Sequence, residues 1–170
     1  PQAEQAYADS KLKDVSLVGT YQIHQIAHAV EETINGNRVV FLEREKNQRI
    51  LLPKIRRNDL VEIVPINEGC LGNCSFCKTK QARGSLFSYE PRAIVRQVRQ
   101  AVEEGCKEIW LTSQDTAVYG TDLKTGLPQL LHELLEIPGD FFIRLGMGNP
   151  DFFQRYTAEL IEVFRHPKMF

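Results

Sequence analysis

The rhythm of apolar and polar positions changes near residue 60. Before it, a polar opening of mixed charge, Pro1 to Lys13, leads into the short apolar run Val15-Ser16-Leu17-Val18-Gly19. Ile23, Ile26, Ala27, Val30 and Ile34 then recur at helical spacing on one face, until Asn35-Gly36-Asn37 ends the pattern. Two extended segments, Arg38 to Arg44 and Arg49 to Ile55, flank the polar turn Glu45-Lys46-Asn47-Gln48 and predict a hairpin or a pair of linker strands. Beyond residue 60, Val61 to Ile66 predicts a strand. A helix opens near Pro91, carries Ile94, Val95, Val98, Ala101 and Val102, and ends at Gly105. Glu108 to Thr112 predicts a second strand, and Leu127, Leu130, Leu131, Leu134 and Leu135 a second helix that stops at Pro138-Gly139. Phe141 to Leu145 predicts a third strand, and a third helix runs roughly from Phe152 to Phe164.

Three strand–helix units in a row predict an α/β fold with a parallel sheet. In such sheets ligands gather at the C-terminal ends of the strands, so the loops after Ile66, Thr112 and Leu145 are the ones to watch. The first spans about two dozen residues, far beyond the usual strand-to-helix connection, and long connections of this kind are commonly functional.

Composition changes this picture little. The 170 residues are 42% hydrophobic and 25% charged with a net charge of −1, so global charge gives no case for nucleic acid and any such case rests on local clusters. No apolar run is long enough to span a membrane and no signal peptide opens the chain. The chain begins with Pro1 rather than Met, which predicts a piece without its natural start.

The cysteines change the picture more. Three of the four, Cys70, Cys74 and Cys77, lie in the first long loop with C-x3-C-x2-C spacing. Thiolates are the natural ligands of iron–sulfur clusters, and three of them leave one iron of a [4Fe–4S] cube open to a small molecule. Gly72 and Asn73 suit the tight turns around a cube, and Phe76 is placed to cover the cluster or a bound cofactor. Structural zinc is the competing reading, with Cys106 or a histidine as the fourth ligand. Inert thiols or a disulfide are another. Cys106, between a helix stop and a strand, reads as a small buried filler.

The loop and its surroundings resemble the radical S-adenosylmethionine superfamily. Within it, Pro65-Ile66-Asn67-Glu68-Gly69-Cys70-Leu71-Gly72-Asn73-Cys74-Ser75-Phe76-Cys77-Lys78-Thr79-Lys80-Gln81-Ala82-Arg83-Gly84 is similar to the tRNA methylthiotransferases, above all the archaeal and eukaryotic branch acting on N6-threonylcarbamoyladenosine. Glu108 to Gly120, Arg144 to Pro150 and Leu52 to Asn58 resemble that branch too. The resemblance implies the first half of a partial (βα)6 barrel over residues 58–170, preceded over residues 1–57 by the tail of an N-terminal α/β methylthiotransferase domain and a linker. It implies a [4Fe–4S] cluster on Cys70, Cys74 and Cys77 with S-adenosylmethionine on the open iron. A second [4Fe–4S] cluster is expected only outside this chain, which has no cysteine before Cys70. The implied reaction adds a methylthio group at C2 of N6-threonylcarbamoyladenosine at position 37, in the tRNA anticodon loop. The cluster and cofactor carry this chemistry rather than a side-chain acid or base. One S-adenosylmethionine donates a methyl group and another serves to remove the C2 hydrogen. An electron donor of reductase, flavodoxin or ferredoxin type is implied, as is a cytoplasmic setting, with a C-terminal membrane anchor outside this piece conceivable in a eukaryote. Alone, half a barrel is expected to be inactive and to carry an open sheet edge.

Further residues gain roles from this reading. Ser113, Gln114 and Asp115 are candidates to accept a hydrogen bond from the cofactor ammonium, against an Asx turn before Thr116. Arg144 and Asn149 are candidates for its ribose or carboxylate, against an ordinary strand salt bridge for Arg144. Lys78, Lys80 and Arg83, beside the cluster, are candidates for RNA phosphates, and Lys54, Arg56 and Arg57 a second basic group, against plain solvated surface. His24 and His28 lack the glutamate of a zinc-protease motif and read as an amphipathic helix. Gly146-Met147-Gly148 lacks the context of a nucleotide fold. Two rivals remain: the same core acting on isopentenyladenosine tRNA or a ribosomal protein, and a non-enzymatic metal-binding module that contacts RNA.

Overall fold

The computed structural model describes residues 8–9, 11–43 and 45–170. The chain divides into two units, Pro1–Gln48 and Arg49–Phe170.

The first unit is a small β–α–β arrangement. Strand β1 (Leu17–Val18) pairs in parallel with β2 (Val40–Phe41). A 3-10 turn, Thr20–Gln25, runs into helix α1 (Ile26–Ile34), and Gly36 follows with φ +83°. Two expectations change here. The stripe that predicted the core-facing side of this helix is exposed, with Val30 at 50% and Ile34 at 79%, while Gln22 and Ala29 are buried. The hairpin does not form either, because β2 takes β1 as a parallel partner and 49–55 has no strand. Leu51 sits at φ +65°, and Pro53 has no N–H to give a ladder. Of the predicted strand Arg38 to Arg44 only Val40–Phe41 forms, and Arg44 lies outside the described residues, as does most of the polar opening. His24 and His28 are exposed, and the His28 ring stacks on Phe41.

The second unit holds the site. Its parallel sheet runs β3 (Val61–Pro65), β6 (Glu108–Thr112), β7 (Phe142–Leu145) in spatial order. Between β3 and β6 lie β4 (Asn67–Glu68), a short helix α2 (Thr79–Arg83), β5 (Phe87–Ser88) and helix α3 (Pro91–Glu103). Helix α4 (Leu127–Leu135) precedes β7. The third helix starts earlier than its apolar spacing suggests and is broken. It comprises α5 (Pro150–Phe153), a 3-10 turn Gln154–Tyr156 and α6 (Thr157–Phe164). Pro150 suits a first helical position, and the Asn149 side chain caps the turn by accepting from Asp151 N–H at 3.1 Å. No helix among the described residues is long and apolar enough to cross a membrane.

Strand alternation decides which face is covered. Val64, Ile109, Leu111 and Ile143 are buried against Ile94, Val98 and Ala101 of α3 and Leu130, Leu131 and Leu134 of α4. Each of the Val, Leu and Ile side chains contributes about 1.5–3 kcal/mol relative to exposure. The opposite face is open: Ile63 is 57% exposed and Phe142 46%, and Arg144 lies over the Trp110 ring at 5.0 Å. In register, Ile63, Trp110 and Arg144 form one row across that face.

Residues 49–57 are fastened to this unit by charge. Buried Glu62 on β3 accepts from Lys54, from Arg56 Nε at 2.7 Å and from Gln97 Nε2 at 2.5 Å. Burial alone would push the Glu62 carboxyl up, but these donors outweigh it and hold the carboxyl below its ordinary value. Arg56 also pairs with Glu104. The basic group predicted for phosphates is thus largely spent on Glu62, since a buried carboxylate demands partners more than exposed ones do. Arg49 pairs with Glu68 at 3.2 Å, and the Tyr89 hydroxyl donates to the same carboxylate.

Candidate metal centre and cofactor cavity

The cysteine loop leaves the sheet at the C-terminal end of β3 and is closed at its base by β4 and β5, which pair antiparallel. At Gly69, φ is +70°, and a Cβ there would lie 2.2 Å from the Ser85 oxygen, so only glycine fits. Its N–H donates to Gln114 Oε1 at 2.8 Å, tying the loop to the segment after β6. Lys80 makes a second tie. Its ammonium donates to the Gly72 carbonyl at 2.8 Å and to Asn73 Oδ1 at 2.6 Å.

Cys70, Cys74 and Cys77 line one cavity of about 590 Å³. Phe76, Ser113, Gln114, Asp115 and Asn149 line it too. Nine of the twelve predicted site residues therefore converge there, Lys80 included. Arg144 does not: its side chain is on the open sheet face, because Ile143 takes the covered one. Lys78 and Arg83 are outside the cavity wall, and Lys78 donates to Gln81 at 3.4 Å.

Asp115 is the knot of the site. Its Oδ1 accepts from Ala117 N–H at 3.1 Å and from Asn149 N–H at 3.0 Å, and the Cys70 thiol donates to Oδ2 at 3.6 Å. The Asx turn before Thr116 is thus real, and the same carboxylate binds the loops after β3, β6 and β7 together. Ser113 Oγ accepts from Asp115 N–H at 3.0 Å. Thr116 completes the tie by donating through N–H and hydroxyl to the Met147 carbonyl, at 2.9 and 3.0 Å.

The thiols are unequal. Burial pushes the Cys70 thiol up, the Gly72 N–H draws it partly back, and Asp115 adds to the rise. The Lys80 backbone N–H, helped by Thr79, holds the Cys77 thiol below its ordinary value. Cys106 is buried, its thiol donates to the Asp59 carbonyl at 3.3 Å, and burial pushes it up. It is the filler its position predicted.

The donor set fits a cluster. Gly72 lies between two of the sulfurs: a Cβ there would stand 3.4 Å from Cys70 Sγ, 4.0 Å from Cys74 Sγ and 3.9 Å from Asn149 Nδ2, in contact with the space the sulfurs face. Among the described residues no three His, Cys, Asp or Glu side chains converge on a point that would hold a single ion. A cube asks for no such convergence, since each thiolate takes a different iron.

Gly69, Asn67 and Met147 entered the sequence reading only inside longer motifs, with no role of their own. Asn67 is buried and donates through Nδ2 to the Asp115 carbonyl at 3.2 Å. Met147 is 70% exposed at the cavity wall. A glycine directly before the first cysteine was the available signal for Gly69. Asn67 and Met147 carry none, because only the fold brings them near Asp115 and the cysteines.

The Radical SAM superfamily profile matches residues 64–167. Threonylcarbamoyladenosine tRNA methylthiotransferase of Drosophila melanogaster is 43% identical over 168 residues, covering 94% of this chain and 30% of its own length. The Homo sapiens protein of that name is 44% identical over 167 residues, covering 94% and 29%. The "Probable threonylcarbamoyladenosine tRNA methylthiotransferase" of Pyrococcus abyssi is 39% identical over 157 residues, covering 91% and 37%. The chain spans about a third of the length of these relatives. With its cysteine loop, the end of β3 and the two following strand–helix units inside the matched residues, the chain belongs to the radical S-adenosylmethionine superfamily.

Proposed function

We propose that this chain is the cofactor-binding part of an enzyme that adds a methylthio group at C2 of N6-threonylcarbamoyladenosine at position 37 of tRNA. The observation that carries the reading is the convergence of three closely spaced cysteines on one cavity with polar residues from the two following loops. Superfamily membership implies a [4Fe–4S] cluster and S-adenosylmethionine. Cys70, Cys74 and Cys77 would hold the cluster, leaving one iron for the cofactor's amino and carboxylate groups. When bound, the pair supplies the one-electron chemistry that removes a hydrogen atom from an unactivated carbon. The protein's own part is positioning. Lys80 clasps the turn between the first two cysteines, the Asp115 carboxylate fixes the loops after β6 and β7 to one another, and Ser113, Gln114 and Asn149 offer polar atoms at the cavity wall. Phe76, 86% exposed, is available to cover the cofactor.

The substrate follows the names of the relatives, whose identity extends over more than nine-tenths of this chain. The partner would be the tRNA anticodon loop, with Lys78 and Arg83, which follow the cysteines in sequence, as the candidate phosphate contacts. An electron donor and a second cluster, held outside this chain, complete the scheme, in the cytoplasm. The open sheet face supports a half barrel over residues 58–170 whose inner side carries Ile63, Trp110 and Arg144. Residues 1–57 would be the tail of the preceding domain and its linker, with 49–57 fastened to the core through Glu62.

The test is anaerobic reconstitution of the full-length protein, followed by electron paramagnetic resonance of the reduced form. A [4Fe–4S] signal that changes when S-adenosylmethionine is added, with methylthiolated nucleoside in the digested tRNA product, is expected. A protein that takes zinc and no iron would sink the proposal.

A further inference from the structure

Past the cavity wall, Pro150 opens the broken third helix, and Phe152 N–H donates to the Asn149 carbonyl at 3.0 Å. One turn on, the Arg155 guanidinium lies 5.3 Å from the centre of the Phe152 ring and 5.8 Å from that of Tyr156. Three features separate this group from ordinary surface. Arg155 is exposed, and among the described residues no carboxylate pairs with it, although Asp151 and Glu159 lie one turn away on either side. The Phe152 ring stays outside the apolar core that takes in its neighbours Phe153 and Tyr156. Finally, the cavity wall to which Pro150 belongs also carries exposed flat or soft side chains, Phe76 at 86% and Met147 at 70%. A half-exposed phenyl ring that holds a guanidinium instead of packing inward keeps apolar area in water, and an arginine on an aromatic face retains its charge and most of its donors.

We propose that Phe152 and Arg155, backed by the Tyr156 ring, form a contact platform for unpaired RNA on the broken helix that opens at Pro150 in the cofactor cavity wall. It would receive a nucleotide next to the one undergoing reaction. Single-stranded RNA is recognised by stacking of splayed bases on aromatic rings and guanidinium groups, with arginine also meeting the phosphates. The broken helix suits this use. The 3-10 turn Gln154–Tyr156 interrupts the helical spacing between α5 and α6, so that Phe152 and Tyr156 both meet the one guanidinium. The inference rests on the tRNA reading above and adds to it a specific surface outside the cysteine loop.

The test uses the full-length enzyme and an unmodified anticodon stem–loop RNA, with binding read by fluorescence anisotropy across a salt series. Retained visible absorption of the cluster reports that each variant is folded. R155A is expected to weaken binding about tenfold and to lower the salt slope by about one, the signatures of one lost stack and one lost phosphate contact. R155K should keep the salt slope and lose affinity, and F152A should behave like R155K, which separates the stack from the charge. A fully paired RNA of equal length should bind wild type and R155A alike. Wild-type affinity and salt slope for the stem–loop in R155A and F152A would overturn the platform while leaving the tRNA reading intact. Failure of the wild type to bind any RNA would overturn both.

Discussion

Single residues with no interchangeable substitute hold the cavity in place. Gly69 is one, since its backbone is left-handed and the Ser85 carbonyl occupies the space a side chain needs. Gly69→Ala is expected to cost about 3 kcal/mol through strain and displacement of the loop. Thermal melting would show the loss, and iron incorporation would fall with it. Glu62 is another. Its carboxyl is held below its ordinary pKa, so its stabilisation is present above the unfolded value of about 4.3 and is lost as pH falls through the folded value. Glu62→Gln should therefore destabilise the protein by about 3 kcal/mol at neutral pH, because Lys54 and Arg56 are left without their shared anion. The same change should flatten the acid limb of the stability curve. Urea titrations at several pH values would read both effects, and a parallel acid limb in the variant would assign that limb to other carboxylates.

The relevant elements are the loops that follow β3, β6 and β7, and Asp115 joins them. Asp115→Ala removes the acceptor for Ala117 N–H, Asn149 N–H and the Cys70 thiol together. Leaving the buried N–H of Ala117 unpaired costs about 1–3 kcal/mol, and the cysteine loop loses its anchor. Asp115→Asn keeps a carbonyl oxygen at Oδ1, so it should restore most of the melting temperature. Of the cysteines, Cys70→Ser, Cys74→Ser or Cys77→Ser is expected to abolish the brown colour of reconstituted protein, since a cube held by two thiolates lacks its anchoring set. Cys106→Ser should keep the colour and lose about 1 kcal/mol of stability, because a hydroxyl keeps the bond to the Asp59 carbonyl but fills the buried core position less well than the larger, more apolar thiol. Loss of colour in the Cys106 variant would mark that thiol as a ligand. The spacing of the three cysteines and the apolar stripes of α3 and α4 were legible in the sequence, because both depend on residues within a turn or two of each other. The role of Asp115 as a tie was not, since its partners lie 34 and 45 positions away.

At the scale of the whole molecule, the open face of the sheet carries the one tryptophan of the chain, Trp110, whose indole N–H donates to Glu108 at 2.8 Å. If the sheet is the first half of a barrel, Trp110 fluorescence should be readily quenched by acrylamide in this 170-residue chain and protected in the longer protein, where further strands close the face. Equal quenching in the two would argue against closure. The same face explains Arg144. Parity along a strand is written in the sequence, but which parity faces the helices is decided by how α3 and α4 pack, and that packing put Ile143 inside and Arg144 against Trp110. Lys80 and Arg56 differ from their phosphate-binding expectation for a related reason: unpaired carbonyls of the cysteine loop claim one, and a buried carboxylate the other. The stripe of α1 shows the converse, an apolar face drawn plainly in the sequence and left exposed in its own unit. By itself the sequence determined the alternation of strands and helices, the three-thiol loop and the glycines and prolines that bound each element, all properties of short stretches of chain. Tertiary structure alone decided which side chains share the cavity, which charges are already spent and which face of the sheet lies open, because each depends on residues that only folding brings within reach.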